Sequence, residues 1–268
     1  VLHRGAPEAR HGLLVVVGGP QYRVGSHRQF VLMARALAQA GIPVMRFDYR
    51  GMGDSPGGAR SFEQVGDDIA AAVDAFVERG GVTQVTLWGL CDGASASAFH
   101  APRDKRIVGL VLLNPWVRTE VGEARAYLRN YYLERLLSPA LWKDLVTGRL
   151  NVFASLRSFI QMIGTARGDA SPGPSEQAGA TAQDLPERLY RSLAAFTGRV
   201  LIVISGRDLT GQEFVDTARG ADWERLLNSP QYTRRTVADA DHTFSTRRWR
   251  DEVTALTRVA MTEAVEDP

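Results

Sequence analysis

A strand that ends in a glycine-flanked corner and resumes at once as a helix is open to few folds, and residues 84–98 describe one. Thr86-Leu87-Trp88-Gly89-Leu90-Cys91-Asp92-Gly93 reads as a strand running into Gly-x-Cys-x-Gly, followed by the small-residue helix Ala94-Ser95-Ala96-Ser97-Ala98. The pattern is that of a nucleophile elbow, with cysteine where serine usually stands. The corner must be tight, because it holds its central residue in a strained conformation. Side chains at Gly89 and Gly93 would collide with the neighbouring strand and helix. Cys91 is the single cysteine of 268 residues, so it has no partner for an intrachain disulfide. A free cysteine is most often a buried, inert one; its place between two glycines at a strand–helix junction predicts a nucleophile instead.

The rest of the chain alternates strands and helices. Leu13-Leu14-Val15-Val16-Val17 is a continuous apolar run, as expected of a strand buried on both faces of a parallel sheet. Ser26 and Gln29 read as a capping box opening a helix with Phe30, Met33 and Leu37 on one face. Ser61 with Gln64 and Thr210 with Glu213 read as two more. Further strands are predicted at 43–47, 84–88, 107–113, 199–205 and 232–237, with a last amphipathic helix carrying Val253, Leu256 and Ala260. The order predicts an α/β fold with a mostly parallel sheet flanked by helices. Between residues 116 and 190 the pattern becomes helical, aromatic and arginine-rich, with a Ser/Pro/Gly/Ala-rich stretch near 169–184 expected to be mobile. The expected organisation is a core of residues 1–115 and 191–268, with 116–190 inserted as a helical cap.

Composition removes several function classes. A net charge of +2 is too mild to imply a nucleic-acid partner. No run reaches the ~18 apolar residues of a membrane span. The lone cysteine suits a reducing, cytoplasmic setting rather than a disulfide scaffold. There is no signal-peptide pattern, but the chain begins at Val1 without methionine, so upstream residues are expected. Gly51-x-Gly53 has Pro56 at the place of the third glycine, which breaks the dinucleotide fingerprint. No phosphate-binding loop and no metal-ligand spacing occur, so neither a cofactor nor a metal is expected.

Elimination then assembles a site. On such an elbow fold the order along the chain is nucleophile, acid, base. Of five histidines, His3, His11 and His27 precede Cys91, and His100 lies too near the elbow helix to swing back. His242, in the polar loop Ala240-Asp241-His242-Thr243-Phe244, remains as the base. Asp208 follows the most hydrophobic strand of the second half and is the expected acid, with Asp241 a competitor. The other usual acid position holds Asn114-Pro115 and no carboxylate. His242 would take the thiol proton while Asp208 fixes its tautomer. The positive end of the elbow helix favours a thiolate, and the charge of Asp92 opposes it a little.

Backbone N–H groups must receive the developing oxyanion. One is expected from Asp92 and another from the loop Gly18-Gly19-Pro20-Gln21; Pro20 has none, so Gly19 or Gln21 supplies it. Arg23 is either a holder of an anionic substrate group or a solvated arginine. The cap aromatics Tyr127, Tyr131, Tyr132 and Trp142 either line an acyl pocket or pack the cap.

Gly18-Gly19-Pro20, Asp48-Tyr49-Arg50-Gly51-Met52-Gly53-Asp54-Ser55, Gly89-Leu90-Cys91-Asp92-Gly93, Gly206-Arg207-Asp208 and Asp241-His242-Thr243-Phe244 together resemble the α/β-hydrolase superfamily along nearly the whole chain. More narrowly, residues 17–30 and 89–96 resemble the exosortase A system-associated hydrolase 1 family of bacteria. That resemblance implies a setting in exopolysaccharide synthesis and protein sorting, gives no substrate, and implies that residues 1–4 end a strand. Cysteine nucleophiles on this fold are also similar to those of dienelactone hydrolases and polyhydroxyalkanoate synthases, which respectively hydrolyse and transfer acyl groups. The expected activity is hydrolysis of a small-molecule or carrier-bound ester or thioester through an S-acyl-cysteine. The alternatives are acyl transfer by the same residues and a non-catalytic binding protein on a hydrolase scaffold. Nothing in the sequence chooses an oligomeric state.

Overall fold

The computed structural model describes residues 1–19, 21–58, 60–117 and 185–263. Among them, seven strands form one sheet: β1 (Leu2–His3), β2 (His11–Val16), β3 (Val44–Arg46), β4 (Gln84–Leu90), β5 (Ile107–Leu113), β6 (Arg199–Ser205) and β7 (Tyr232–Val237). Their spatial order is β1-β3-β2-β4-β5-β6-β7. Only β1 is antiparallel, pairing Leu2 with Met45 and His3 with Val44; the other six run parallel. The α/β class expected from the alternation is the one observed.

Every residue of β2 is buried, because helices cover both faces of the sheet. Leu13, Val15 and Val17 point to the face closed by α1 (Gln29–Gln39) and α7 (Arg247–Glu263), where they join Phe30, Leu37, Trp88, Val253 and Met261. The Phe30 and Trp88 rings meet edge to face at 5.3 Å, and Trp88 Nε1 donates to Thr257 Oγ1 of α7 at 3.2 Å. A buried indole thus keeps its one polar atom satisfied. On the opposite face lie α2 (Gly66–Gly80) and the elbow helix α3 (Asp92–His100). Gly12 lets β2 pass close to Phe76 of α2, whose ring a Cβ would meet at 2.4 Å. Each fully buried large side chain here contributes roughly 1.5–3 kcal/mol.

Three helix starts differ from the sequence expectation. Ser26 opens a 3-10 turn in which His27 and Arg28 have φ of 53° and 61°, and α1 begins only at Gln29 without a side-chain cap. The Phe30 N–H is taken by Val24 O at 3.2 Å instead. Ser61 likewise precedes a 3-10 turn, Phe62–Gln64, and makes no capping bond. In α5 (Leu209–Thr217) the cap is Asp208, two residues before Thr210. Loop geometry, not the Ser/Thr-x-x-Glu/Gln pattern, placed the donors.

The helix α4 (Leu185–Ala195) crosses the boundary drawn at residue 190. Its Leu189 and Leu193 are fully buried, and Tyr232 Oη donates to Leu193 O at 2.8 Å, so the core is rejoined before 191. Of the expected cap, 116–190, residues 118–184 lie outside the described residues, and with them the stretch near 169–184 and Tyr127, Tyr131, Tyr132 and Trp142. The short helix α6 (Ala221–Leu227) leads into β7. No helix of the described residues is long and apolar enough to cross a membrane.

Candidate active site

Six parallel strands bring their C-terminal ends to one edge of the sheet, and the loops that follow them gather there. Cys91 stands at the end of β4, the fourth strand of seven. Its φ of 62° and ψ of −126° place it in a region that costs a non-glycine residue roughly 1–3 kcal/mol. Four bonds hold it there: its N–H donates to Leu113 O at 2.8 Å, and its carbonyl accepts from Ala94 at 3.0 Å and from Ser95 and Trp116, both at 3.3 Å. A Cβ on Gly89 would lie 2.4 Å from Gly93 O, and one on Gly93 would lie 2.7 Å from Val16 O. These are the collisions that require glycine on both sides. The buried helix behind the corner keeps its hydroxyls satisfied, with Ser97 Oγ donating to Gly93 O and Ser95 Oγ to Trp116 O, both at 2.7 Å.

Asp208 follows β6 and does two things at once. Its carboxylate caps α5, Oδ1 accepting from Thr210 N at 3.3 Å and Oδ2 from Gly211 N at 3.0 Å. The same Oδ2 accepts from His242 Nδ1 at 2.9 Å. Asp208 is therefore held by a helix N-terminus while it bonds the His242 imidazole, and its side chain is only 8% exposed. Asp241 is committed elsewhere. It accepts from Thr243 N at 3.2 Å, Ser245 N at 3.0 Å and the Ser245 hydroxyl, so it shapes the loop that presents His242.

The His242 pKa is pushed up to about 10, first by its bond to Asp208 and then by its contact with the Cys91 side chain; burial opposes both. The imidazole therefore stands between the carboxylate and the sulfur. In such a pair the proton belongs to both partners rather than to either alone.

Asn114 was read in the sequence only as a position lacking a carboxylate. It is fully buried, with φ of 43°. Its Oδ1 accepts from Ser205 N at 2.8 Å, while Nδ2 donates to Ser205 Oγ at 2.8 Å and lies 3.5 Å from His242 O. The side chain thus ties the ends of β5 and β6 to the base loop. A buried amide at a strand end was the available signal, but its partners lie 91 and 128 residues away.

The loop after β2 brings Gly18 and Gly19 to the elbow. The Gln21 N–H closes onto Gly19 O at 2.8 Å, while the Gly19 N–H faces the Asp92 carboxylate. Asp92 Oδ1 also accepts from Gly93 N at 2.9 Å. Burial pushes the Asp92 carboxyl up, against the pull of these N–H groups and of His242. Tyr49, buried beside it, is raised to about 12 by burial and by the Asp92 charge.

Arg23 is ion-paired with Asp48 and with Asp54, the latter at 2.6 Å. Asp48 in turn accepts from Arg23 N at 2.7 Å, and a Cβ on Gly53 would lie 2.4 Å from its carboxyl carbon. The glycines of the 48–55 loop therefore serve a tight wrap around Asp48, and Arg23 fastens that wrap to the β2 loop. Three other histidines are bonded or buried elsewhere: His3 Nε2 accepts from the Arg46 guanidinium, His11 Nε2 pairs with Thr86 Oγ1 at 2.8 Å, and His100 is buried at the end of α3. Among the described residues no cluster of three or more His, Cys, Asp or Glu could hold a metal.

Comparison with known proteins agrees with this architecture. The chain is similar to the Pyrococcus furiosus esterase Pf2001, with a TM-score of 0.61 at 15% identity over 96% of this chain and 83% of that one. It is similar also to a monoacylglycerol lipase of Paleococcus ferrophilus, with a TM-score of 0.62 at 20% identity over 98% of each chain. At such identities the likeness is one of fold, and it is the α/β-hydrolase fold. Human protein ABHD12B is 30% identical over 136 residues, which make up 47% of this chain and 37% of that protein. The chain therefore matches little more than a third of that relative's length. Residues 9–244, from the start of β2 to the loop bearing His242, match one family throughout, and the chain belongs to it: serine aminopeptidase, S33, here with cysteine at the elbow.

Proposed function

We propose that the protein hydrolyses ester or thioester bonds through an S-acyl intermediate on Cys91, with His242 as acid and base and Asp208 orienting it. The observation that carries this reading is the placement of His242 in contact with both Asp208 and Cys91, while Cys91 sits on a strained strand–helix corner. The structural relatives, an esterase and a monoacylglycerol lipase, point the same way.

In the first half-reaction the Cys91 sulfur attacks the acyl carbon with the shared proton held on His242. The tetrahedral oxyanion collapses, the bond to the leaving oxygen or sulfur breaks, and imidazolium returns a proton to the leaving group. In the second, His242 removes a proton from water as it attacks the thioester, and the Cys91 sulfur leaves with that proton restored. A raised His242 pKa favours the first half-reaction, in which imidazolium is the acid. It leaves the second dependent on the fraction of neutral imidazole.

A thioester also reacts with alcohols, amines and thiols, so the same intermediate serves acyl transfer. Residues 17–30 and 89–96 support a bacterial exopolysaccharide or exosortase setting, and the lone cysteine supports a cytoplasmic one.

The test is intact-mass analysis after incubation with p-nitrophenyl and acyl-thioester substrates, with and without alcohol or amine acceptors. An acyl adduct that disappears in Cys91→Ala, with turnover falling by at least about 10⁴-fold, is the expected result. Release of free acid in the presence of acceptors identifies a hydrolase, and acyl-acceptor product a transferase. No adduct and no turnover with any donor, alongside tight ligand binding, would overturn both in favour of a binding protein.

A further inference from the structure

The residue after an elbow nucleophile normally offers only its N–H to the reaction. Here it carries a carboxylate, and that carboxylate is folded back onto the groups the oxyanion would use. Asp92 Oδ1 accepts from Gly93 N at 2.9 Å. Gly18 passes so close that a Cβ on it would lie 2.3 Å from Asp92 Oδ1 and 2.6 Å from Gly93 N. The carboxylate is thus wedged between the β2 loop and the first turn of α3, with the N–H groups of Gly19 and of Asp92 itself turned towards it. Gln21, the remaining candidate donor, is bonded to Gly19 O. Of the three N–H groups named from the sequence, that of Gln21 is therefore engaged with Gly19, and those of Gly19 and Asp92 lie beside the carboxylate.

We infer that Asp92 sets the rate and selectivity of Cys91 acylation: its carboxylate occupies the oxyanion site of the resting molecule and must be displaced or protonated before an acyl group is accepted. The inference rests on the S-acyl-Cys91 reading. Its physical basis is that an anion held by backbone N–H groups resembles the oxyanion that would replace it. It stabilises the imidazolium of His242 and opposes negative charge on the neighbouring sulfur. The ionisable groups facing it are His242 from the β7 loop, Tyr49 from the β3 loop and Cys91 beside it; the β2 loop and α3 contribute uncharged glycine N–H groups. Burial raises the Asp92 pKa, so the occupied state forms as pH rises through that titration.

Two reactions at one sulfur isolate the effect. Acylation by p-nitrophenyl acetate passes through an oxyanion, whereas alkylation by iodoacetamide displaces iodide without one. Both need the thiolate, so their ratio cancels its formation. Asp92→Asn and Asp92→Ala should each raise the acylation-to-alkylation ratio at pH 7.5 by at least about tenfold. In the wild type the ratio should fall as pH rises through the Asp92 titration, and in Asp92→Asn it should be flat. An equal rise in both reactions, an unchanged or lowered ratio, or a flat wild-type profile overturns the proposal. The wild-type profile decides it even if neither variant folds. A Cys91→Ala protein that still forms the acyl adduct overturns the S-acyl reading and the Asp92 proposal together. A Cys91-dependent adduct with an unmoved ratio overturns the Asp92 proposal alone.

Discussion

The elbow and the Asp208–His242 pair meet at one edge of the sheet, yet they are built by different physics. The elbow is local. Gly89, Cys91 and Gly93 lie within five residues, and what they need is room: the corner closes because no Cβ intrudes at 2.4 Å and 2.7 Å. The acid–base side is assembled from afar by hydrogen bonds. Asp208 and His242 are 34 residues apart, and Asn114 reaches across 91 residues to Ser205. Crowding enforces the first part, whereas directional bonds that substitution can remove singly hold the second.

The sharpest break of that contrast is Asp208→Asn. The amide retains an oxygen to cap α5 but no charge to hold imidazolium, so turnover should fall roughly 10³–10⁴-fold with the fold intact. The His242 pKa, followed by NMR, should drop from about 10. Asp241→Asn, measured alongside, should leave that pKa much closer to the wild type, because Asp241 bonds Thr243 and Ser245 rather than the imidazole.

On the elbow side the large effect should be structural. Gly93→Ala places a Cβ 2.7 Å from Val16 O and 2.9 Å from Gly18 N, neither of which can yield without moving the sheet. A loss of about 3 kcal/mol or more in urea unfolding is expected. Loss below about 1 kcal/mol would show that the corner relaxes and is not fixed by crowding.

Asn114→Ala removes three polar contacts between β5, β6 and the base loop and leaves Ser205 N unpaired in a buried place. A stability loss of about 1–3 kcal/mol is expected, with kcat reduced more than alkylation of Cys91. Equal reduction of both would place Asn114 in the scaffold alone.

The smallest effect is in pH. His242 binds its proton more tightly folded than unfolded, its pKa rising from 6.5 to about 10. Its contribution to stability is then complete below pH 6.5 and is lost as pH rises towards about 10. The stability difference between the wild type and His242→Gln should narrow over that interval; a difference constant with pH would contradict the raised pKa.

The strands were largely legible because burial on both faces writes itself as unbroken apolar runs, as at Leu13 to Val17 and Val200 to Ile204. The elbow was legible because steric demands act between neighbours in the chain. Cys91 and His242 could be named because each was the last of its type left standing. Asp208 was named as the partner of His242 from its place after β6, but that the same oxygen also caps α5 is shown only by the structure. Helix starts were the least legible: Ser26, Ser61 and Thr210 carry capping chemistry that the structure does not use.

By itself, then, the sequence determined the α/β class and the glycine-bounded corner at Cys91, through unbroken apolar runs and steric demands between neighbours. Only the tertiary structure decided how the groups at the sheet edge are poised: that one Asp208 oxygen serves both a helix cap and His242, that Asn114 joins two strand ends to the His242 loop, and that the Asp92 carboxylate bonds the N–H of Gly93 in the elbow helix. Steric rules act over a few bonds and can be read along the chain. Hydrogen bonds and charges act between whatever the fold brings within about 3 Å, and no spacing in the sequence records that.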